Sequence, residues 1–194
     1  MTPAIQLDLS DIGRLGARFA SAKGKLPTAL YRGLNKTGDK ARTGMRRALV
    51  VQTGLKYGVF VRALKTKRAG AADLAYVIRS KGGNVSLKYF SPKETRGGVS
   101  AAPWGARRVF PGTFMKGGLF PKRKPLKLGG HVYKRAGARR LKIVKQTSGL
   151  YIPDEMITGA SASTLINMAQ AELPAEVGKA LWAILSGAAP QGTR

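Results

Sequence analysis

Cysteine is missing from this 194-residue sequence, and histidine occurs once, at position 131. Without cysteine there is no disulfide framework and no thiolate metal site, and one histidine cannot build a histidine cluster, so we expect no metal. No apolar run reaches about 18 residues, so we expect no membrane-spanning helix. The first residues, MTPAIQLDLS, lack the basic start and apolar stretch of a signal peptide. We therefore expect a protein made in a cytoplasm.

Catalytic motifs are equally scarce, so we expect no enzymatic activity, no catalytic residues and no cofactor. The glycine-rich stretch 112–118 is not followed by the Lys-Ser or Lys-Thr pair of a P-loop. Asp154 and Glu155 are adjacent carboxylates after Pro153, a position that favours a role at a helix N-terminus over catalysis. His131 is interpreted as a strand residue with a packing or solvent-facing role. An enzyme of unfamiliar type would need an acid–base pair brought together by the fold.

Acidic residues are few as well, with nine Asp and Glu against 35 Lys and Arg, which gives a formal net charge of +26. Self-repulsion at this charge destabilises an isolated compact chain, and a polyanion or an acidic protein surface would relieve it. The imbalance is greatest in residues 95–153, which contain basic residues but no Asp or Glu. We call this segment the basic middle. It predicts contact with an anionic partner; the alternative is an exposed face covered only by water.

The order of patterns predicts a single α+β domain over residues 1–194, with N-terminal helices, a central antiparallel β-meander with long basic loops, and a C-terminal helix. The helical part, 1–50, contains a helix over 11–21 capped by Ser10 and a second over 27–50 that begins at Pro27. The apolar stripe of the second helix is followed by a basic flank. The stripe contains Leu30, Leu34, Thr37, Ala41, Met45, Ala48 and Leu49, and the flank Arg42, Arg46 and Arg47.

The basic β-region spans residues 70–147. An apolar run over 74–78, the turn Gly82-Gly83-Asn84 and the alternating residues 85–89 predict a β-hairpin. Further strands are predicted over 99–101, 107–110, 131–135 and 140–145, with an irregular loop at 112–130 that orders only against a partner. The C-terminal helix is predicted over 160–186, kinked or divided at Pro174, with Trp182 buried beside Leu181.

The candidate partner-contacting residues are basic and lie within the basic middle: Lys122, Arg123, Lys124, Lys127, Lys134, Arg135, Arg139 and Arg140. Aromatic residues between basic ones are typical of phosphate-backbone binding, but no zinc-finger, bZIP or RRM signature is present, so any nucleic-acid contact should be independent of sequence. The candidate interface aromatics are Trp104, Phe114 and Phe120. For Trp104, packing on its own core remains an equal alternative.

The order of short motifs resembles that of the minor tail protein Z family of long-tailed phages. The helix 29–49 contains the Arg-x-Leu-Asn-x-Thr core of that family, at Arg32 to Thr37. A Val-x-Leu-x-x-Phe stretch (Val85, Leu87, Phe90), an aromatic stretch over 110–114 and a Val-Tyr-Lys-Arg-x-Gly strand over 132–137 follow. The chain departs from the family after Arg140, where Leu141-Lys142-Ile143 replaces a Pro-Ile step.

The resemblance implies a structural virion protein of the neck or upper tail, assembled in the host cytoplasm, that completes the tail and enables head–tail joining. It implies a homo-oligomeric ring, sixfold in symmetry, around the DNA channel. Its partners would be the tail terminator and the head–tail connector rings, with non-specific contact with packaged DNA and no membrane. The alternative is a sequence-independent nucleic-acid-binding protein of the ribosome-associated type.

Overall fold

The computed structural model describes residues 4–7, 26–137 and 142–185, and within these the side chains of 26–137 and 142–184. The fold is α+β, as predicted: two long helices pack against each other, and the chain between them forms most of several small antiparallel sheets. The helices and strands, in chain order, are β1 (Ala4–Leu7), α1 (Leu26–Thr53), α2 (Tyr57–Ala63), β2 (Leu64–Lys67), β3 (Tyr76–Ser80), β4 (Asn84–Ser86), β5 (Lys93–Thr95), β6 (Gly98–Ala101), β7 (Arg108–Pro111), β8 (Thr113–Phe114), β9 (Lys116–Gly117), β10 (Lys124–Pro125), β11 (Tyr133–Arg135), β12 (Ile143–Lys145), β13 (Thr147–Tyr151), α3 (Ile152–Ile157) and α4 (Gly159–Leu185).

Helix α1 confirms the helix predicted from Pro27, which lies in its first turn. The apolar stripe faces the core, with Leu34, Ala41, Met45 and Leu49 fully buried. The helix ends where Gly54 adopts a φ of +74° and its N–H bonds the carbonyl oxygen of Val50, a common way to terminate a helix. The prediction of a basic flank was wrong for one of its three residues, because the Arg46 side chain is buried. The helix predicted over 11–21 and its cap at Ser10 lie outside the described residues.

Helix α4 packs along α1 and confirms the predicted C-terminal helix. Its buried residues recur every four positions, at Leu165, Ala169, Leu173, Val177 and Leu181. The prediction that Trp182 is buried was wrong: its side chain is 71% exposed, because a one-residue step turns it about 100° away from Leu181. The predicted division at Pro174 does not occur, since the helix continues through this exposed residue.

The predicted hairpin between β3 and β4 was also wrong. Strand β3 pairs with β1 and β2, whereas β4 pairs with the distant β13. The Ser86 hydroxyl accepts the N–H of Lys88 and turns the chain into a 3-10 helix over Leu87–Tyr89, so the alternating pattern does not continue as a strand. Val85 and Leu87 are nevertheless buried. Their alternation therefore reported burial correctly but not the strand partner.

Besides β3 and β4, the basic β-region contains three small sheets. Strands β5, β6 and β7 form an antiparallel meander, β8 and β12 flank β11, and β9 pairs with β10. Gly98 adopts a φ of +147°, and a Cβ there would lie 2.2 Å from the carbonyl oxygen of Phe110, so only glycine fits at the close approach of β6 and β7. The loop predicted as irregular, 112–130, is mostly turns and bends but contains the two-residue strands β8, β9 and β10.

One cluster of buried apolar side chains runs through the described residues, from α1 across the sheets to α4. Phe60, Tyr76 and Phe90 are its largest fully buried members. Asp154 and Glu155 lie in the first turn of α3, as predicted from their position after Pro153. The basic β-region is therefore attached to the same core as the helices, and its loops project from it.

Candidate functional site

The acidic side chains of the described residues are largely used within the fold. Those that form ion pairs with Lys or Arg are Asp39, Asp73, Glu94, Glu172 and Glu176. In the basic middle, by contrast, most cations are exposed: Arg96, Arg107, Arg108, Lys116, Lys122, Lys124, Lys127, Lys134, Arg135, Lys142 and Lys145. The fold thus pairs most of its described carboxylates with its own cations and presents further cations at the surface of the β-region.

The candidate partner-contacting residues divide into three groups. Lys122, Lys124, Lys127, Lys134 and Arg135 are exposed and accessible to a partner. Arg123 instead pairs with a carboxylate of the fold. Arg139 and Arg140 lie outside the described residues. Lys134 and Arg135 are neighbours on β11, so their side chains point to opposite faces of its sheet.

Glu94 anchors the loop 112–130 to β5. Its Oε1 accepts a hydrogen bond from Arg123 Nη1 at 2.5 Å, and its Oε2 accepts the backbone N–H of Met115 at 3.0 Å. Both side chains are largely buried, with 20% of Arg123 and 8% of Glu94 exposed. The Arg123 guanidinium also lies 6.0 Å from the ring centroid of Phe120. Arg123 therefore acts as a structural residue that fixes the loop.

A pocket of about 460 Å³ opens beside this anchor, between the meander and the sheet of β8, β11 and β12. We call it the β-region pocket. Its cations are Arg96, Lys116, Arg123 and Arg135, and its apolar wall includes Phe114 and Leu126. Arg123 and Arg135 were among the predicted residues, whereas Arg96 and Lys116 were not. Each of the missed residues precedes a Gly-Gly pair, at 97–98 and 117–118, which was the available signal in the sequence.

The three candidate interface aromatics have different surroundings. Trp104 has a φ of +53°, is 41% exposed and donates from Nε1 to Glu155 Oε1 at 2.8 Å, so it is tied to its own fold and still presents a face to solvent. Phe120 is 46% exposed. Phe114 is half-buried, with its ring centroid 6.5 Å from that of Tyr133.

Another feature that the sequence did not reveal as a site is a groove of about 1020 Å³ along α1. Its basic residues are Arg32, Lys36, Lys40, Arg47 and Arg68. Much of this charge holds α1 to α4, because Lys36 lies 2.8 Å and Lys40 3.1 Å from the buried Glu176 carboxylate. The hydrogen bond from Lys36 lowers the pKa of Glu176 to about 2, against the opposing effect of burial. The helical spacing of Arg32, Lys36 and Lys40 was its sequence signal.

Comparison of this chain with protein-family models, curated proteins and solved structures found no match.

Groups that could support metal or acid–base chemistry are sparse where the structure is described. Within residues 26–137 and 142–184, no group of three His, Cys, Asp or Glu side chains is placed to hold a metal ion. No helix in the described part of the chain is long and apolar enough to cross a membrane. His131 Nδ1 lies 3.1 Å from Ser86 Oγ, and loss of solvation, followed by the charges of Lys145 and Lys88, lowers the His131 pKa.

Proposed function

We propose that this chain is a structural virion protein of the phage neck or upper tail, which completes the tail and enables head–tail joining. The observation that carries the proposal is the separation of charge: acids are paired within the fold, and cations of the basic middle are exposed. A ring of such subunits would surround a channel with positive charge, which suits packaged DNA or acidic neighbouring rings. The order of motifs from Arg32 to Gly137 supports the same assignment.

The net charge determines the conditions under which the chain would oligomerise. A net charge of +26 opposes association of identical chains unless anions lie between or beside them. The proposed ring, sixfold in symmetry, would therefore form on the tail terminator or the head–tail connector and in the presence of DNA. Exposed apolar side chains suit these contacts, among them Leu119 at 88% and Phe120 at 46% exposed in the loop 112–130.

The alternative function is sequence-independent nucleic-acid binding of the ribosome-associated type. The observation that favours it is the pairing of cations with exposed aromatic rings: the Arg108 guanidinium lies 5.9 Å from the Trp104 ring centroid. A protein of this type would bind RNA tightly at low salt, with an affinity that falls steeply as salt rises. A neck subunit would be required for joining heads to tails whatever its RNA affinity.

Deletion of the gene from a phage that encodes this chain tests the proposal. Electron microscopy of the lysate should show filled heads and tails of finished length that are not joined, and supplying the chain from a plasmid should restore joining. Intact infectious particles formed without the chain would overturn the proposal and direct attention to RNA binding.

Charge-removal variants locate the functional surface in the same assay. Replacing Lys122, Lys124 and Lys127 by Gln should reduce the fraction of joined particles at least tenfold. The matched control replaces three exposed lysines outside the basic middle, Lys56, Lys65 and Lys81, and should support joining as the wild type does. Equal losses for the two variants would show that total charge, and not the basic middle, is what matters.

A further inference from the structure

We propose that the β-region pocket is a binding site for phosphate groups, carried by the nucleic-acid backbone or by a soluble polyphosphate. This inference goes beyond head–tail joining, because it assigns a ligand class to a particular pocket and can be tested with the purified chain alone.

Charge is the first argument. The pocket carries the side chains of Arg96, Lys116, Arg123 and Arg135, and none of the described residues that line it is acidic. Glu94, which does not line the pocket, pairs with Arg123 and compensates one of these charges. Arg96 and Lys116 are exposed and lie within the same 460 Å³ concavity. Exposed cations that line one concavity make it electropositive, and a multiply charged anion bound there would be stabilised.

Shape is the second argument. The two Gly-Gly pairs, 97–98 and 117–118, leave the pocket wall free of side chains next to Arg96 and Lys116. Gly98 and Gly118 have φ angles of +147° and +97°, which other residues rarely adopt, so the bare backbone is a requirement of the local fold. Glycine backbones beside cations are typical of loops that approach phosphate closely. A planar guanidinium matches phosphate oxygens with two parallel hydrogen bonds, and the Lys116 ammonium supplies a point charge.

Size and lining decide between ligand classes. The volume lies within the range of about 300–1,000 Å³ that is usual for small-molecule sites, so a phosphate fits together with the group that carries it. Phe114 and Leu126 provide an apolar wall for that group. A single carboxylate would bring one negative charge for at least two cations, whereas a polyphosphate or consecutive backbone phosphates bring several.

Calorimetric titration of the purified 194-residue chain with tripolyphosphate tests the site. The pocket variant is Arg96→Gln with Lys116→Gln. The control is Arg79→Gln with Lys81→Gln, which removes the same charges from exposed residues outside the pocket, and Lys81 also precedes a Gly-Gly pair. We expect saturable binding for the wild type and the control, and at least tenfold weaker binding for the pocket variant. Because all four side chains are exposed, circular dichroism should show that both variants remain folded.

Titration with a 20-base-pair duplex DNA over a range of salt distinguishes the two sources of phosphate. If DNA backbone occupies the pocket, the slope of log affinity against log salt should fall by about 2 in the pocket variant compared with the control. If tripolyphosphate separates the two variants and DNA does not, the ligand is a soluble polyphosphate. If the pocket variant and the control bind both probes equally, the proposal is overturned, whatever the outcome for head–tail joining.

Discussion

Substitution of Gly33 by alanine should destabilise the protein, although alanine is the better helix former. Gly33 lies on the buried face of α1, and a Cβ there would be 2.6 Å from Val177 Cγ2, 2.7 Å from its Cα and 2.8 Å from its N. Two of these atoms are backbone, so no rotamer change can relieve the contact, and α1 and α4 must move apart along their shared interface.

The expected size follows from two opposing effects. Overpacking of this kind costs about 1–3 kcal/mol, and the backbone contact places Gly33→Ala near the upper end. The helix propensity of alanine returns about 1 kcal/mol. The free energy of unfolding should therefore fall by about 2 kcal/mol.

Gly178 provides the matched control on the opposite helix. It follows Val177 directly in α4, yet a Cβ there meets no atom within 4 Å. Gly178→Ala should raise the free energy of unfolding by about 0.5–1 kcal/mol through helix propensity alone. Urea denaturation followed by circular dichroism at 222 nm gives both values. If Gly33→Ala is as stable as Gly178→Ala, the close approach of α1 and α4 is refuted.

Three further predictions concern buried or half-buried polar contacts. The Glu176 pKa is lowered to about 2 from an ordinary 4.5, so the stabilisation from its ionised carboxylate is complete above about pH 4.5 and is lost as pH falls toward 2. In acid denaturation, the free energy of unfolding of Glu176→Gln should therefore fall less steeply over this window than that of the wild type. An unchanged curve would contradict the assignment. Arg123→Ala leaves the Glu94 carboxylate without its cation and should speed hydrogen–deuterium exchange in the loop 112–130. The control variant Lys122→Ala, at an exposed neighbouring residue, should not. Equal exchange rates in the two variants would contradict the anchor role of Arg123. Burial and the 2.7 Å hydrogen bond to Asp39 Oδ1 raise the Tyr76 pKa to about 12. Tyr76→Phe should therefore abolish a late phase of the ultraviolet phenolate titration and lower the free energy of unfolding by about 1 kcal/mol. A titration identical to that of the wild type would refute this contact.

The helices could be predicted from sequence because their signals are local. Pro27 marks the start of α1, and apolar residues at three- and four-residue spacing mark the face that α4 covers. The apolar character of Trp182 did not indicate whether its side chain is buried. It lies one residue after the buried Leu181, and one step along the helix turns its side chain away from the core.

Strand pairing could be predicted only where partners are close in the sequence. The meander of β5, β6 and β7 joins neighbouring strands, and its members near 99–101 and 107–110 were predicted. Strand β4 pairs with β13, in which Thr147 lies opposite Ser86, so no local turn signals the pairing. β-Propensity identifies a half-buried strand but does not identify its neighbour.

The candidate site shows the same limit. The excess of cations was evident from composition, but the sequence did not distinguish the exposed Lys122 from Arg123, which pairs with Glu94 29 positions away. The β-region pocket unites Arg96, in the turn between β5 and β6, with Lys116 of β9, although these segments are not paired strands. Such a convergence depends on the tertiary fold, and only the repeated Gly-Gly pairs gave a hint of it.

The proposed role in tail completion is tested most directly by joining in vitro. Purified protein would be added to a lysate of a phage that lacks this gene, and infectious titre would be measured together with the fraction of joined particles in electron micrographs. If the chain completes the tail, titre should rise with added protein to a plateau, and heads and tails should disappear as separate species. If unjoined heads and tails accumulate and the purified, folded chain leaves them unjoined, the chain does not complete the tail and the central claim is contradicted.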